Sequence, residues 1–184
     1  LDMEASHKKI PQSWFFSEAE EDKPLFLAVG HLFDIAIETQ NWELARQAET
    51  IAQREDMDGC EGKVFASRLA FARRDFEEAR RQIDECIKQR PVFSRAYSLR
   101  SSINTALGND HAALEDVRRA TSMNPLDGLI AKGFAQLLYV RNKKVGDNVT
   151  PEEVSEARNA LQMAMALNPY DVQLRSFFAD FIAP

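Results

Sequence analysis

Two cysteines, three histidines, seven glycines and a shortage of basic residues leave few chemistries open to this chain of 184 residues. His7, His31 and His111 are scattered, and neither cysteine sits in a CxxC pair, so no metal-ligand spacing is present. No glycine-rich phosphate loop and no nucleophile elbow occurs, and paired acids such as Glu77-Glu78 and Glu152-Glu153 fall at helix starts, where they complement the dipole. The sequence therefore leads to the expectation of no catalytic residue, no cofactor and no metal, a protein that is not an enzyme. No apolar run approaches the ~18 residues of a membrane span. Residues 1–12 lack the apolar core of a secretory signal. A chain that begins at Leu1, ahead of Met3, reads as a processed or excised fragment. Lys and Arg number 23 against 29 Asp and Glu, a net charge of −6, which argues against a general nucleic-acid binder.

What is present is a period. Ala79 and Pro91 recur as Ala113 and Pro125 after 34 residues, Ala45 anticipates them by one step, and Ala157 and Pro169 follow after 44. A repeat of that length is the mark of stacked helical hairpins. Apolar residues at three- and four-residue steps (Leu25, Val29, Leu32, Phe33, Ala36) predict helices, and no segment alternates with a strand's period. Hairpins are expected at 60–72 with 75–89, at 94–107 with 110–123, and at 126–141 with 151–167. Proline ends each, because it cannot continue a helix. The last hairpin carries an insertion at 142–150, and Thr150-Pro151-Glu152-Glu153 reads as a capped helix start. Residues 170–182 predict a single amphipathic capping helix. Cys60 and Cys86 fall at the start and end of one hairpin; a bridge is sterically conceivable, but the pair reads as free thiols, which leans towards a reducing compartment and favours the cytoplasm without fixing it.

These residues resemble the tetratricopeptide repeat family. Residues 94–127 match best, through Ala96-Tyr97, Gly108, Ala113, Ala120 and Pro125; residues 60–93 match through Phe71, Asp75-Phe76, Ala79, Cys86 and Pro91. Residues 26–59 match through Trp42, Ala45 and Ala52, with Met57 where proline is expected. Residues 128–171 match through Phe134, Ala135, Leu138, Ala157, Leu161, Ala164 and Pro169. The resemblance implies an all-α right-handed superhelical solenoid over residues 25–184, preceded by an extension at 1–24. Lys63, Ala131 and Arg100 depart from it, the last replacing a core leucine. It also implies a test for a two-carboxylate clamp built from lysine and asparagine. The matching positions hold Gly30, Asp34, Phe65, Arg95 and Leu99, or in the next register Val64, Arg68, Leu99, Leu129 and Gly133. Only Arg95 has suitable chemistry in the first set and the second is no better, so a clamp of that kind is not expected.

In such an architecture the first helix of each hairpin lines the concave face. That projection gives a candidate groove of Phe65, Arg68, Phe71, Arg95, Ser98, Leu99, Ser102, Lys132, Gln136 and Tyr139, with His31 and Asp34 further along. Arg68, Arg95 and Lys132 come from successive hairpins and predict a basic stripe suited to an extended acidic peptide. The expected function is a scaffold whose groove captures a peptide or helix of a partner protein. The alternatives are a regulatory or substrate-presenting module of a larger enzyme or membrane-anchored protein, and a chaperone for a secreted or hydrophobic partner. Nucleic acid and direct membrane insertion are not expected. Trp14-Phe15-Phe16 could cap the first repeat, dock on another protein or drive self-association, and the Lys143-Lys144 loop is a second candidate contact.

Overall fold

A computed structural model describes residues 24–55, 59–145 and 150–182; the aromatic cluster at 14–16 lies outside them. Among the described residues every regular element is a helix: α1 (Pro24–Glu38), α2 (Trp42–Glu55), α3 (Cys60–Ala72), α4 (Phe76–Gln89), α5 (Ser94–Ala106), α6 (Asp110–Met123), α7 (Gly128–Val145), α8 (Pro151–Leu167) and α9 (Val172–Ile182). The hairpin α1–α2 belongs to one compact unit and α3 through α9 to another.

In the first unit, Val29, Phe33 and Ala36 of α1 and Ala45, Ala48 and Ala52 of α2 are all buried. In the second, the recurring alanines Ala79, Ala113 and Ala157 are fully buried on α4, α6 and α8. Their lack of a longer side chain lets the two helices of each hairpin close together, which is why alanine returns at this position. Leucines, isoleucines and aromatics then fill the space between hairpins. Phe93 and Ile103 pack with Cys60, Ile83 and Cys86 across α3, α4 and α5. Leu114 and Val117 pack with Leu138, Leu161 and Leu174 across α6 to α9.

The turns follow the same period. Gln40, Arg74 and Gly108, each 34 residues from the next, all take the left-handed conformation, with φ of 56°, 65° and 78°. The next residue then starts the second helix: Asn41 Oδ1 accepts from Leu44 N–H at 3.1 Å and Asp75 Oδ1 from Glu78 N–H at 3.2 Å. Thr150 forms the expected capping box, its Oγ1 accepting from Glu153 N–H at 3.2 Å while Glu153 Oε2 accepts from Thr150 N–H at 3.0 Å.

Two expectations are corrected. Cys60 and Cys86 are bonded as a disulfide, with Cα atoms 4.5 Å apart. The antiparallel return of α4 along α3 sets the first residue of one beside the last turn of the other, the proximity that made a bridge conceivable, and the low cysteine count was the wrong ground for reading free thiols. Cysteine usage therefore gives no support to a reducing compartment. The insertion is also partly helical: α7 continues past Arg141 to Val145. Lys143 lies 5.6 Å from the Tyr139 ring one turn back, and Lys144 Nζ donates to Asp110 Oδ2 at 3.3 Å. Basic residues suit the negative end of a helix. Residues 146–149 lie outside the described residues.

Candidate functional site

Within the second unit the first helices of successive hairpins touch, α3 with α5, α5 with α7 and α7 with α9, whereas among the described residues the second helices α4, α6 and α8 do not approach one another. Layers that converge on one side and spread on the other curve toward the convergent side. The first helices therefore line an inner face, as in other helical-repeat arrays.

On that face a cleft of about 240 Å³ opens between α5 and α7. Ser98, Ser102 and Thr105 of α5 form one wall, Gln136, Leu137 and Val140 of α7 the other, and Val117 of α6 the floor. Gly133 makes the gap: a Cβ placed there meets no atom within 4 Å. The helical spacing 95, 98, 102 puts Arg95 on the same stripe of α5 as the two serines. Arg95 is exposed and makes no ion pair among the described residues.

The ten projected groove residues do not stand together on one surface. Ser98, Ser102 and Gln136 come together at the cleft. Phe65 is buried, Leu99 and Phe71 pack against the α3–α5 core, and the Phe71 ring sits 5.4 Å from that of Phe76. The three from α7 meet α9: Lys132 Nζ donates to Asp171 Oδ2 at 2.6 Å, Gln136 Nε2 to Gln173 Oε1 at 3.1 Å, and the Tyr139 ring stacks on Phe177 at 4.4 Å. The capping helix lies against α7 as α7 lies against α5, so it occupies one flank of the last inner-facing helix. Arg68 is half-buried on α3, and Lys132 is committed to Asp171, so the three projected cations do not stand as three equivalent charges. The Asp171 carboxyl is held below its ordinary value, first by the hydrogen bond from Lys132 and then by that from Leu174 N–H. On the first unit, His31 is exposed and Asp34 half-buried on α1.

Behind the cleft, the far side of α5 is pinned by a charged network. Arg100 donates to Asp116 through Nε at 2.9 Å and Nη2 at 2.7 Å, and to Asp84 through Nη1 at 2.8 Å. Asn104 Nδ2 adds 2.9 Å to the same Asp116, whose side chain is nearly buried. Bidentate pairing of this kind fixes the guanidinium plane and keeps it charged, its pKa driven up chiefly by the Asp116 hydrogen bonds. Two further contacts escaped the sequence reading although the period marks them. Ser67 Oγ donates to Ala79 O at 2.7 Å and Ser101 Oγ to Ala113 O at 2.8 Å, each serine twelve residues before its alanine and 34 from the other. They hold each first helix at a fixed height on its partner.

Together the geometry defines an array of helical hairpins with a shaped inner face. Solved structures make the class specific. The chain is similar to the APC/C hetero-tetramer Cut9–Hcn1 (TM-score 0.65, 12% identity, 86% of this chain and 30% of that one). It is similar to pilF of Pseudomonas aeruginosa (TM-score 0.65, 10% identity, 86% of this chain and 68% of that one) and to the TPR domain of Arabidopsis OM64 (TM-score 0.58, 14% identity, 68% and 96%). The fold is thus tetratricopeptide-like, and the chain spans under a third of the Cut9–Hcn1 chain it matches. No family model and no curated protein sequence matches it. Among the described residues no three His, Cys, Asp or Glu side chains gather as a metal site, and no helix is long and apolar enough to cross a membrane.

Proposed function

We propose that the inner face of the α3–α9 unit binds an extended segment of a partner protein, seated across α5 and α7. One observation carries the reading: the open cleft above Gly133, with hydroxyls on one wall and aliphatic side chains on the other. Ser98, Ser102 and Gln136 offer hydrogen bonds to the main chain of a segment that has no partner strand. Leu137 and half-exposed Val140 offer an apolar seat for one side chain. Arg95, one turn away with no acid of its own, selects an acidic residue next to that anchor. The ligand is accordingly an extended peptide with an apolar residue beside a carboxylate.

Gly133 supplies the test. A Cβ at Gly133 meets no atom within 4 Å, so Gly133→Leu is expected to extend into the gap, and replacing a mid-helix glycine also removes a conformational-entropy cost of about 0.5–1 kcal/mol. Peptides selected from a random displayed library on the wild-type protein are then titrated by calorimetry. The expected result is enrichment of the apolar–acidic pair, affinity at least about tenfold weaker in Gly133→Leu and Arg95→Glu, and a melting temperature in Gly133→Leu no lower than wild type. Selected peptides that bind Gly133→Leu as tightly as wild type place the site elsewhere.

A further inference from the structure

A second surface is distinct from the cleft. The five most exposed large apolar side chains described, Val92 at 80%, Leu126 at 78%, Leu129 at 79%, Tyr170 at 91% and Val172 at 76%, all lie in or directly after the loops that join one hairpin to the next. Val92, Leu126 and Tyr170 each follow the proline that ends a hairpin. Because helices alternate in direction, these loops share one edge of the second unit. Asn168 Nδ2 donates to Gly128 O at 2.8 Å, tying two of them together.

We propose that this edge docks the protein on the surface of an anionic phospholipid bilayer. Charge is the first argument. Lys88 in the last turn of α4, Arg119 on α6 and Arg175 on α9 are exposed, one beside each loop. The carboxylates there are already engaged: Glu61 with Arg90 at 3.2 Å, Asp171 with Lys132, and Asp127 Oδ1 with the N–H groups of Leu129 and Ile130 at 2.9 and 3.1 Å. Of the helices that begin at this edge, α5, α7 and α9 hold no acid in their first turns, and α3 holds Glu61, which Arg90 pairs. At the opposite edge the first turns of α4, α6 and α8 all hold acids. This edge thus joins exposed apolar tips to exposed cations, whereas at the opposite edge the acids of the helix starts stand among Arg73, Arg74, Lys143 and Lys144.

Shape is the second argument. The apolar groups fall one loop to each hairpin, along hairpins whose helices pack at roughly 10 Å. A stable protein interface needs on the order of 800 Å² of close-packed surface on each side, which one loop tip to a hairpin does not supply. Separate aliphatic tips with cations beside them, and a tyrosine on the last loop, suit the headgroup boundary of a bilayer. Each surface-facing cation contributes about a factor of five there.

Flotation of the full chain with phosphatidylcholine vesicles, with and without phosphatidylserine, tests the assignment. Binding is expected to the phosphatidylserine vesicles, to fall steeply with salt, and to drop about tenfold or more both in Lys88→Glu with Arg175→Glu and in Val92→Ser with Leu126→Ser and Tyr170→Ser. These side chains are exposed, and unchanged thermal melts of both variants confirm that the fold is kept. Wild-type protein that stays with neither vesicle overturns the proposal, as does binding that the variants retain. A dimer by gel filtration that the serine variant dissolves, with no flotation, assigns the edge to a second copy of the chain instead.

Discussion

Arg100 stands where the repeat pattern has leucine, and its neighbours explain how the core tolerates it. A charge taken out of water destabilises unless its partners are in place, and Asp116 and Asp84 supply three hydrogen bonds. The departure was legible in the sequence but its compensation was not, because Asp116 sits sixteen residues away on another helix and nothing in its local pattern marks it as buried. Asp116→Ala removes two of the three bonds and also the partner of Asn104. Since Arg100 keeps some access to water, the expected loss is about 2–3 kcal/mol in urea unfolding, below the full cost of a fully buried orphan charge. A double-mutant cycle with Arg100→Leu should give a coupling of about 1–3 kcal/mol, and strict additivity would show that the network contributes no pairwise energy. Backbone conformation makes the opposite prediction at Arg74. It holds φ of 65° at the turn position that Gly108 fills one repeat later. Arg74→Gly relieves the left-handed strain of about 1–2 kcal/mol but adds freedom to the unfolded chain. The net gain of about 0.5–1 kcal/mol should appear as a higher urea midpoint with an unchanged slope.

Helix order, hairpin pairing and the capping helix were legible in the period, since each buried alanine and terminal proline marks a fixed place on a hairpin. The end of α7 was not: Asn142 to Val145 interrupts the 34-residue count, and an interrupted count reads as a loop even where local residues extend the helix. Nor did the projection of an inner face foresee that α9 would take Lys132, Gln136 and Tyr139, because repeat spacing alone does not report what covers the terminal helix. The start of α8 was fully legible, and it carries a pH dependence. Glu153 is held below its ordinary carboxylate value, first by the hydrogen bond from Thr150 N–H and next by Arg141, and Asp171 is held down by Lys132 and Leu174 N–H. Depressed values mean that the folded state favours the ionised carboxylates. Their contribution is complete above the ordinary values of 4.5 and 3.8 and is lost as pH falls through the lowered ones. Melting temperature should therefore be nearly flat from neutrality to about pH 5 and fall below it, less steeply in Asp171→Asn than in wild type. Thr150→Ala should cost about 1 kcal/mol at neutral pH, a typical value for a lost helix cap.

From α3 to α9 each hairpin meets only its neighbours, and two seams join them: second helix to next first helix, and first helix to first helix. Stability in such an array is close to a sum of hairpin terms and neighbour terms, so damage at one end should fade along the chain. Ending the chain after Leu167 deletes α9 and with it Leu174, fully buried in the cluster that also holds Leu138 and Leu161. It also removes the Asp171 partner of Lys132 and the Phe177 face of Tyr139. The amides of α7 and α8 should then exchange with solvent at least about tenfold faster, each factor of ten corresponding to about 1.4 kcal/mol of lost opening energy. Those of α3 and α4, two hairpins away and stapled by the Cys60–Cys86 bond, should change by less than about twofold. Hydrogen exchange read by mass spectrometry on the truncated and full chains decides between this graded response and an equal acceleration from α3 to α8. Equal acceleration would mean that the unit opens as one cooperative block, and the inner face would then be rigid only while α9 is seated.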